Sequence, residues 1–249
     1  MIYSSLIEKA KELRKNTFNT FVDQGEAHIG GAFSMIEMLI LIYEKILNNN
    51  DKFILSKAHA SIPLCLLLRE KGFDVKLTTH LEIDSKNGIH STTGSLGHGL
   101  PIATGMAMAR KRLNIPGNIY VMLSDGECQE GTTWESLLIG AKHSLDNLIV
   151  LVDYNKIQAL TTLQEGLPLS SLSAKIKAFN WDCIEINDGH SFDELIPVLQ
   201  QNLSMKPKVF VVHTTKGKGV KAFENDPAWH ARKIKGEELE IGKKELGIT

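Results

Sequence analysis

Short apolar runs alternate with amphipathic stretches along the chain. The apolar runs predict β-strands at residues 51–56, 119–124, 148–153, 182–186 and 208–213. The stretches between them predict helices, starting with residues 4–20, and two capping-box pairs predict helix starts at Ser34/Glu37 and Ser191/Glu194. This alternation predicts an α/β fold in which a parallel central sheet carries helices on both faces. No linker-like change of composition divides the sequence, so we predict one domain over residues 1–249.

Composition and charge argue against several classes of protein. The 249 residues are 43% hydrophobic and 23% charged, with a formal net charge of −1, which is ordinary for a globular protein. This charge does not suit binding to nucleic acid or to acidic membranes. No window of about 18 residues is apolar and free of charge, so we expect no membrane span. The N-terminus lacks the apolar core of a signal peptide, and the three cysteines are interpreted as reduced thiols, so we expect a cytoplasmic protein.

Polar residues end two of the predicted strands. Asp125, with Gly126 directly after it, follows the strand at 119–124, and Asn155 follows the strand at 148–153. The carboxyl ends of neighbouring parallel strands meet at one edge of a sheet, so Asp125 and Asn155 are expected to face one crevice. A carboxylate, an amide oxygen and a backbone carbonyl form the hard oxygen site that Mg²⁺ shares with phosphate groups and water. Taken alone, the same residues also fit a helix cap and a turn.

Six segments of the chain resemble the diphosphate-binding half of transketolase, a member of the thiamine diphosphate-dependent enzymes. In chain order they are GEAHIGGAFS, FILSKAHAS, STTGSLGHGLPIATGMAMA, SDGECQEGTTWE, VDYNKIQ and TTKGKGVKAFENDPAWH. The resemblance covers nearly the whole chain and includes the Asp-Gly and distant Asn of the thiamine diphosphate signature. Ser124 is a departure, because the family usually has glycine before the Asp-Gly pair. Its hydroxyl group stands where it could donate a hydrogen bond to the diphosphate.

The resemblance implies a metal site and a cofactor site. Mg²⁺, or Ca²⁺ or Mn²⁺ in its place, would be held by Asp125, Asn155 and the backbone carbonyl of Ile157. Glu130 would lie at a contact between subunits, close to the cofactor. The implied residues that bind thiamine diphosphate are His59, Leu96, Gly97, Ser124, Asp125, Gly126, Glu127, Glu130, Asn155, Ile157, Lys216 and His230.

The resemblance also divides the nine histidines. The histidines at catalytic positions that line the cofactor and substrate channel would be His28, His59, His80 and His230. His59 and His230 would contact the diphosphate, and His28 and His80 would face the sugar. His98 would also face the sugar. Because imidazole titrates near neutral pH, such residues can move protons at sugar hydroxyls and stabilise oxyanions. The remaining histidines are interpreted as structural or exposed: His90, His143, His190 and His213.

The function implied by the resemblance is that of one half of a split transketolase. In single-chain transketolases a pyrimidine-binding domain with an activating glutamate follows this one, and residues 1–249 contain no such domain. We therefore expect a separate pyrimidine-half subunit, an A₂B₂ heterotetramer, and transfer of a two-carbon ketol unit from a ketose or ketose phosphate to an aldose or aldose phosphate. Two alternatives stay open: a thiamine diphosphate enzyme acting on a 2-oxo acid, as a synthase or decarboxylase, and a non-catalytic homologue that binds a partner.

Overall fold

A five-stranded parallel sheet forms the centre of the molecule in the computed structural model, which describes residues 3–25, 28–201 and 205–248. The strands are β1 (Lys52–Leu55), β2 (Ile119–Ser124), β3 (Leu148–Tyr154), β4 (Asp182–Ile186) and β5 (Lys208–His213). They lie in the order β1-β2-β3-β5-β4, and every neighbouring pair is parallel. The five predicted strands and the predicted parallel sheet are confirmed.

Helices connect the strands and cover them. Their bounds are α1 (Ser4–Gln24), α2 (Ile29–Ser34), α3 (Ile36–Leu41, continued by a π-helical turn Ile42–Ile46), α4 (Ile62–Glu70), α5 (Gly99–Arg112), α6 (Gly131–Lys142), α7 (Leu172–Ala178), α8 (Phe192–Leu199) and α9 (Glu237–Leu246). In the ranges that the structure describes, no helix has the length and apolar character needed to cross a bilayer.

Each central strand contributes side chains to two separate hydrophobic clusters. In β3, Ile149 and Leu151 pack on one face of the sheet with residues of α1, α3, α4 and α8. Leu148, Val150 and Val152 pack on the other face with residues of α5, α6 and α7. Successive strand residues point to opposite faces, so a strand that is covered on both sides must be apolar throughout. The prediction of helices on both faces is therefore confirmed, and this two-sided burial explains why the central strands β2, β3 and β5 are largely apolar.

The capping box predicted at Ser34 and Glu37 is wrong. Ser34 is the last residue of α2, and its hydroxyl donates to Asp153 Oδ2 at 2.6 Å. Glu37 lies in the first turn of α3 and accepts from Arg14 Nη2 at 2.8 Å. All four residues are buried. Buried charges require partners, and that requirement outweighs the smaller gain from a local helix cap.

The second predicted capping box marks the correct helix start without forming the cap. Ser191 directly precedes α8, but its side chain makes no capping hydrogen bond. Glu194 Oε2 instead accepts from the backbone N–H of Asp188 at 3.1 Å, which fixes the turn before the helix.

Substituting a glycine in α6 tests how this helix packs against the core, and a glycine in α5 serves as the control. A β-carbon added at Gly140 of α6 would overlap the ring of the buried Trp181, whereas one added at Gly105 of α5 would meet no atom within 4 Å. We predict that Gly105→Ala raises the free energy of unfolding by about 0.5–1 kcal/mol, because alanine favours the helix. Gly140→Ala should lower it by about 1–3 kcal/mol, because overpacking outweighs that gain. Urea denaturation measures both, and a gain in both variants would contradict this packing.

Candidate active site

A cavity of about 370 Å³ lies at the carboxyl edge of the sheet. Residues that follow four of the strands line it: Lys57 after β1, Asp125 after β2, Asn155 after β3 and Lys216 after β5. This is the edge at which parallel α/β sheets bind ligands. The lining includes the following residues of the predicted site: His59, Leu96, Ser124, Asp125, Gly126, Glu130, Asn155, Ile157, Lys216 and His230.

Four histidines form a cluster, of which His59 and His230 line this cavity while His28 and His80 lie behind them. The ring of His28 lies 5.6 Å from that of His59 and 5.8 Å from that of His230, measured between ring centroids. His59 and His230 are 5.3 Å apart, and the exposed His80 joins the group at 6.3 Å from His28. His98 is exposed at the start of α5 and does not line the cavity. The structure thus brings together His28, His59, His80 and His230 and leaves His98 outside.

The electrostatic surroundings keep two of these histidines neutral. Burial holds the pKa of His59 well below its usual range, and the nearby charge of Lys57 lowers it further. Burial and the charge of Lys216 lower the pKa of His230 to about 4. A neutral imidazole has one nitrogen that donates and one that accepts, so both rings can exchange hydrogen bonds with an uncharged hydroxyl at neutral pH.

His80 and Gly94 meet closely beside the histidine cluster. His80 has a φ of 62°, in the left-handed region that non-glycine residues seldom occupy. A β-carbon at Gly94, which has a φ of 147°, would lie 2.7 Å from His80 Cδ2. The backbone of His80 is therefore strained, and its imidazole packs against Gly94, where only glycine fits.

A buried ion pair between Lys57 and Asp153 lies beneath the cavity. The two side chains are 1% and 0% exposed, and Lys57 Nζ contacts Asp153 Oδ2 directly. Lys57 Nζ also donates to the carbonyl of Gly31 at 2.8 Å, while the hydroxyls of Ser34 and Thr214 donate to Asp153. Burial by itself would raise the pKa of Asp153, but the Lys57 charge and these hydrogen bonds hold it below its usual range. Asp153 is therefore ionised at neutral pH.

Neither member of this pair was predicted from the sequence. Asp153 interrupts the apolar run of β3, and a carboxylate inside a buried strand needs a cation or several donors. That requirement was a usable signal, but it does not say which residue is the partner. Lys57, 96 positions earlier in the chain, carries no pattern that distinguishes it from an exposed lysine.

The turn after β3 brings backbone and side-chain oxygens to the cavity. Lys156 has a φ of 66°, and its N–H donates to Asp125 Oδ2 at 2.5 Å. The N–H of Ile157 donates to Asn155 Oδ1 at 3.1 Å. Burial raises the pKa of Asp125 to about 7, and the neighbouring charge of Asp153 adds to the effect. Asp125 and Asn155, predicted from two separate strands, thus meet at one turn.

Lys216 places a positive charge on the same turn. Its ammonium group donates to the carbonyls of Ile157 and Gln158, each at 2.9 Å, and lies 3.3 Å from His230 Nδ1. The side chain is buried, and burial together with the charge of Lys57 lowers its pKa to about 8. A cation of the chain itself therefore contacts the Ile157 carbonyl, which the family resemblance implies as a metal ligand.

Glu127 lies behind the cavity and does not line it. Its carboxylate accepts from the hydroxyl of Ser56, from the N–H of Gly97 at 3.2 Å, and from the N–H and the hydroxyl of Ser124 at 2.8 and 3.2 Å. The residue is fully buried, and burial raises its pKa. Gly97 has a φ of 76°, and a β-carbon there would lie 2.5 Å from Glu130 Cβ. Glu127 thus fixes Gly97 and Ser124, and the Ser124 hydroxyl is engaged with it rather than free for a ligand.

Comparisons with known proteins identify the family. Residues 7–249 match the family model described as the transketolase thiamine diphosphate binding domain. An apulose-4-phosphate transketolase subunit of Actinobacillus succinogenes is 35% identical, over 98% of this chain and 96% of that protein. The 6-deoxy-6-sulfo-D-fructose transketolase subunit SqwG of Clostridium sp. is 33% identical, over 97% of this chain and 96% of that protein. The chain therefore belongs to the transketolase thiamine diphosphate-binding domain family.

The chain matches the two relatives named as subunits over nearly their whole length. Solved transketolases share the fold: the enzyme from Leishmania mexicana superposes with a TM-score of 0.91 at 22% identity, over 98% of this chain and 41% of that one. The Campylobacter jejuni enzyme has a TM-score of 0.86 at 26% identity, over 97% of this chain and 42% of that one. The chain thus spans less than half of these transketolases and nearly all of the two relatives named as subunits.

Replacing Lys57 tests how much the buried ion pair contributes to the stability of the protein. We predict that Lys57→Met lowers the free energy of unfolding by about 3–5 kcal/mol, because Asp153 would keep a buried charge without its cation. The double variant Lys57→Met/Asp153→Asn should recover part of that loss, because the amide carries no charge.

An exposed ion pair provides the matched control. Lys111 Nζ lies 2.7 Å from Asp146 Oδ1, with side chains 39% and 28% exposed. Lys111→Met should cost only about 0–1 kcal/mol, because solvent screens this pair. Urea denaturation at neutral pH compares the variants, and an equal cost for Lys57→Met and Lys111→Met would refute the structural role of the buried pair.

Proposed function

We propose that this chain is the diphosphate-binding half of a two-subunit transketolase. The enzyme transfers a two-carbon ketol unit from a ketose to an aldose with Mg²⁺ and thiamine diphosphate. The proposal rests on one cavity that is lined by Asp125, Asn155 and Ile157 together with His59 and His230. The first three residues offer oxygen atoms that can bind a metal ion. The family membership supports the cofactor, and the cluster of four histidines supports chemistry at sugar hydroxyl groups.

The donor set fits a hard divalent cation. A carboxylate from Asp125, an amide oxygen from Asn155 and the carbonyl of Ile157 are ligands of the kind that Mg²⁺ prefers, and Ca²⁺ or Mn²⁺ shares this preference. The ammonium group of Lys216 donates to the Ile157 carbonyl, so a metal ion at this oxygen would take the place of that hydrogen bond. We propose these three residues as the metal ligands.

The surroundings of Gly126 fit a diphosphate. A β-carbon added there would meet only Gln158 Nε2 within 4 Å, at 3.7 Å, so the backbone can approach a bulky anion. Thiamine diphosphate, when bound, supplies the carbon nucleophile for cleavage and formation of the carbon–carbon bond. We propose that the chain contacts it through His59, Leu96, Gly126, Glu130, Lys216 and His230. Ser124 lines the cavity with its hydroxyl bound to Glu127, so we propose that Ser124, Gly97 and Glu127 act by shaping the cavity wall.

The histidine cluster is proposed to serve the sugar. His28 and His80 lie at the edge of the group formed by His59 and His230, and His80 is exposed. We propose that these imidazoles bind sugar hydroxyl groups and hold or move their protons. The relatives named for apulose 4-phosphate and for 6-deoxy-6-sulfo-D-fructose suggest that the sugar carries an anionic group.

A separate pyrimidine-binding subunit is proposed to complete the site in an A₂B₂ heterotetramer. Several relatives are named as one subunit of a transketolase, and these names support a second polypeptide. Leu96, Leu160 and Leu167 are 46%, 93% and 58% exposed, and the first two line the cavity mouth, where a partner would cover them. We further propose that residues 1–249 form one domain of a cytoplasmic protein that binds neither nucleic acid nor membranes.

Removal of the proposed metal carboxylate tests the site directly. We predict that Asp125→Ala abolishes Mg²⁺-dependent binding of thiamine diphosphate, because the two neutral oxygens that remain would not hold the Mg²⁺ ion that offsets the charge of the diphosphate. Titration calorimetry on the complex with the partner subunit measures this. Asp74→Ala, which removes an exposed carboxylate elsewhere, is the control and should bind normally. Unchanged affinity in Asp125→Ala would refute the metal assignment.

Dependence on a partner tests the function itself. We predict no ketol transfer by the purified chain with saturating Mg²⁺ and thiamine diphosphate, because the pyrimidine pocket and its activating glutamate are proposed to lie on the partner. Adding the pyrimidine-half transketolase subunit from the same organism should give activity that depends on the concentrations of both chains. The assay uses a panel of ketose phosphate donors with aldose phosphate acceptors. Sustained turnover by the chain alone would overturn the two-subunit proposal.

A further inference from the structure

His190 lies between a buried ion pair and the loop that carries Lys216. It follows β4, and its side chain is 8% exposed. Its Nδ1 is 3.0 Å from Glu37 Oε2, and its Nε2 is 2.8 Å from the backbone nitrogen of Thr215. One imidazole therefore joins α3, on one face of the sheet, to the segment directly after β5.

The partners of His190 fix which ring nitrogen carries the proton. The backbone N–H of Thr215 can only donate, so Nε2 of His190 must be the unprotonated acceptor. Nδ1 therefore carries the hydrogen and donates it to Glu37. Arg14 Nη2 donates to the other oxygen of Glu37 at 2.8 Å. Burial alone would raise the pKa of Glu37, but the charge of Arg14 and the His190 hydrogen bond hold it below its usual range, so the acceptor is ionised.

The loop held by His190 is the one that places Lys216 in the cavity. Thr214 donates to Asp153 through its hydroxyl, and the N–H of Gly217 donates to the carbonyl of Gly30 at 3.0 Å. Between these contacts, the Thr215 N–H bond to His190 fixes the peptide that leads into Lys216. The position of Lys216 thus follows from these attachments and from the N–H of Asn225, which donates to the Lys216 carbonyl at 2.9 Å. One of these attachments is made by an imidazole of fixed tautomer.

We propose that His190 is a positioning residue for the cofactor site. It acts through the Thr215 amide to set the backbone from which Lys216 reaches the turn at Ile157 and Gln158. Glu37 and Arg14 act indirectly, because they stabilise the His190 tautomer in which Nε2 can accept the Thr215 hydrogen bond. This inference rests on the proposed function, because it takes the diphosphate-binding cavity as the site that Lys216 serves.

Two substitutions of similar size separate the two contacts of the ring. In His190→Asn the amide group reaches about as far as Nδ1, so it can donate to Glu37 but cannot reach Thr215. In His190→Gln the longer side chain reaches about as far as Nε2, so its carbonyl can accept from Thr215 while the bond to Glu37 is lost. Both variants lose one hydrogen bond of the original ring, so a role in stability alone predicts similar behaviour for the two.

The first readout is hydrogen exchange of the Thr215 amide, followed by NMR in the chain alone. We expect His190→Gln to keep the protection of this amide and His190→Asn to lose it. The second readout is the dissociation constant of thiamine diphosphate with Mg²⁺ for the complex with the partner subunit. We expect binding to weaken about tenfold in His190→Asn, as for the loss of one hydrogen bond, and to stay near the native value in His190→Gln.

The outcomes distinguish this inference from the proposed function. Equal cofactor affinity and equal Thr215 protection in the two variants would overturn the positioning role. If the native complex itself fails to bind thiamine diphosphate, the proposed function fails, while the exchange measurement still decides whether His190 holds the loop. If both variants lower the free energy of unfolding equally but only His190→Asn weakens binding, the positioning role is supported independently of stability.

Discussion

The ion pair between Lys57 and Asp153 is the interaction on which the carboxyl edge of the sheet depends. Moving a charged group out of water costs several kcal/mol per ion, and this cost is offset only if the geometry is good and the remaining hydrogen-bonding capacity is used. Here the remaining contacts include those from Gly31, Ser34 and Thr214. These five residues belong to the ends of β1 and β3, to α2 and to the segment after β5, so satisfying one buried pair brings four parts of the chain to one point.

The charges around the cavity complement both components of the proposed cofactor. Burial raises the pKa of Asp125 and lowers that of Lys216, so each group is held closer to its neutral form than it would be in water. A divalent cation would favour the ionised carboxylate, and a phosphate would favour the charged ammonium. A metal ion and a diphosphate that bind together would therefore stabilise both groups at once, whereas a neutral ligand would stabilise neither.

The fold could be predicted from the sequence further than the site could. The bounds predicted at 119–124, 182–186 and 208–213 agree with the structure because polar residues follow the apolar ones at the carboxyl end of each run. Asp125 and Asn155 could also be placed, since parallel strands bring their ends to one edge. By contrast, the bond from Ser34 to Asp153 joins residues 119 positions apart, and no local pattern reports such a contact. The same limit applies to His190, whose role depends on Glu37 and Thr215 rather than on its neighbours in the chain.

The order of the strands has a consequence for how the chain folds as it is made. In the described sheet, β4 pairs with β5 alone, and β5 lies between β3 and β4 although it comes last in the sequence. During synthesis, the segment of β4 therefore leaves the ribosome before its neighbouring strand exists. Lys216 and His230 come later still, so the cavity cannot close until the ribosome has passed residue 230. A chain stopped before residue 216 would hold Asp125 and Asn155 but would lack both Lys216 and His230.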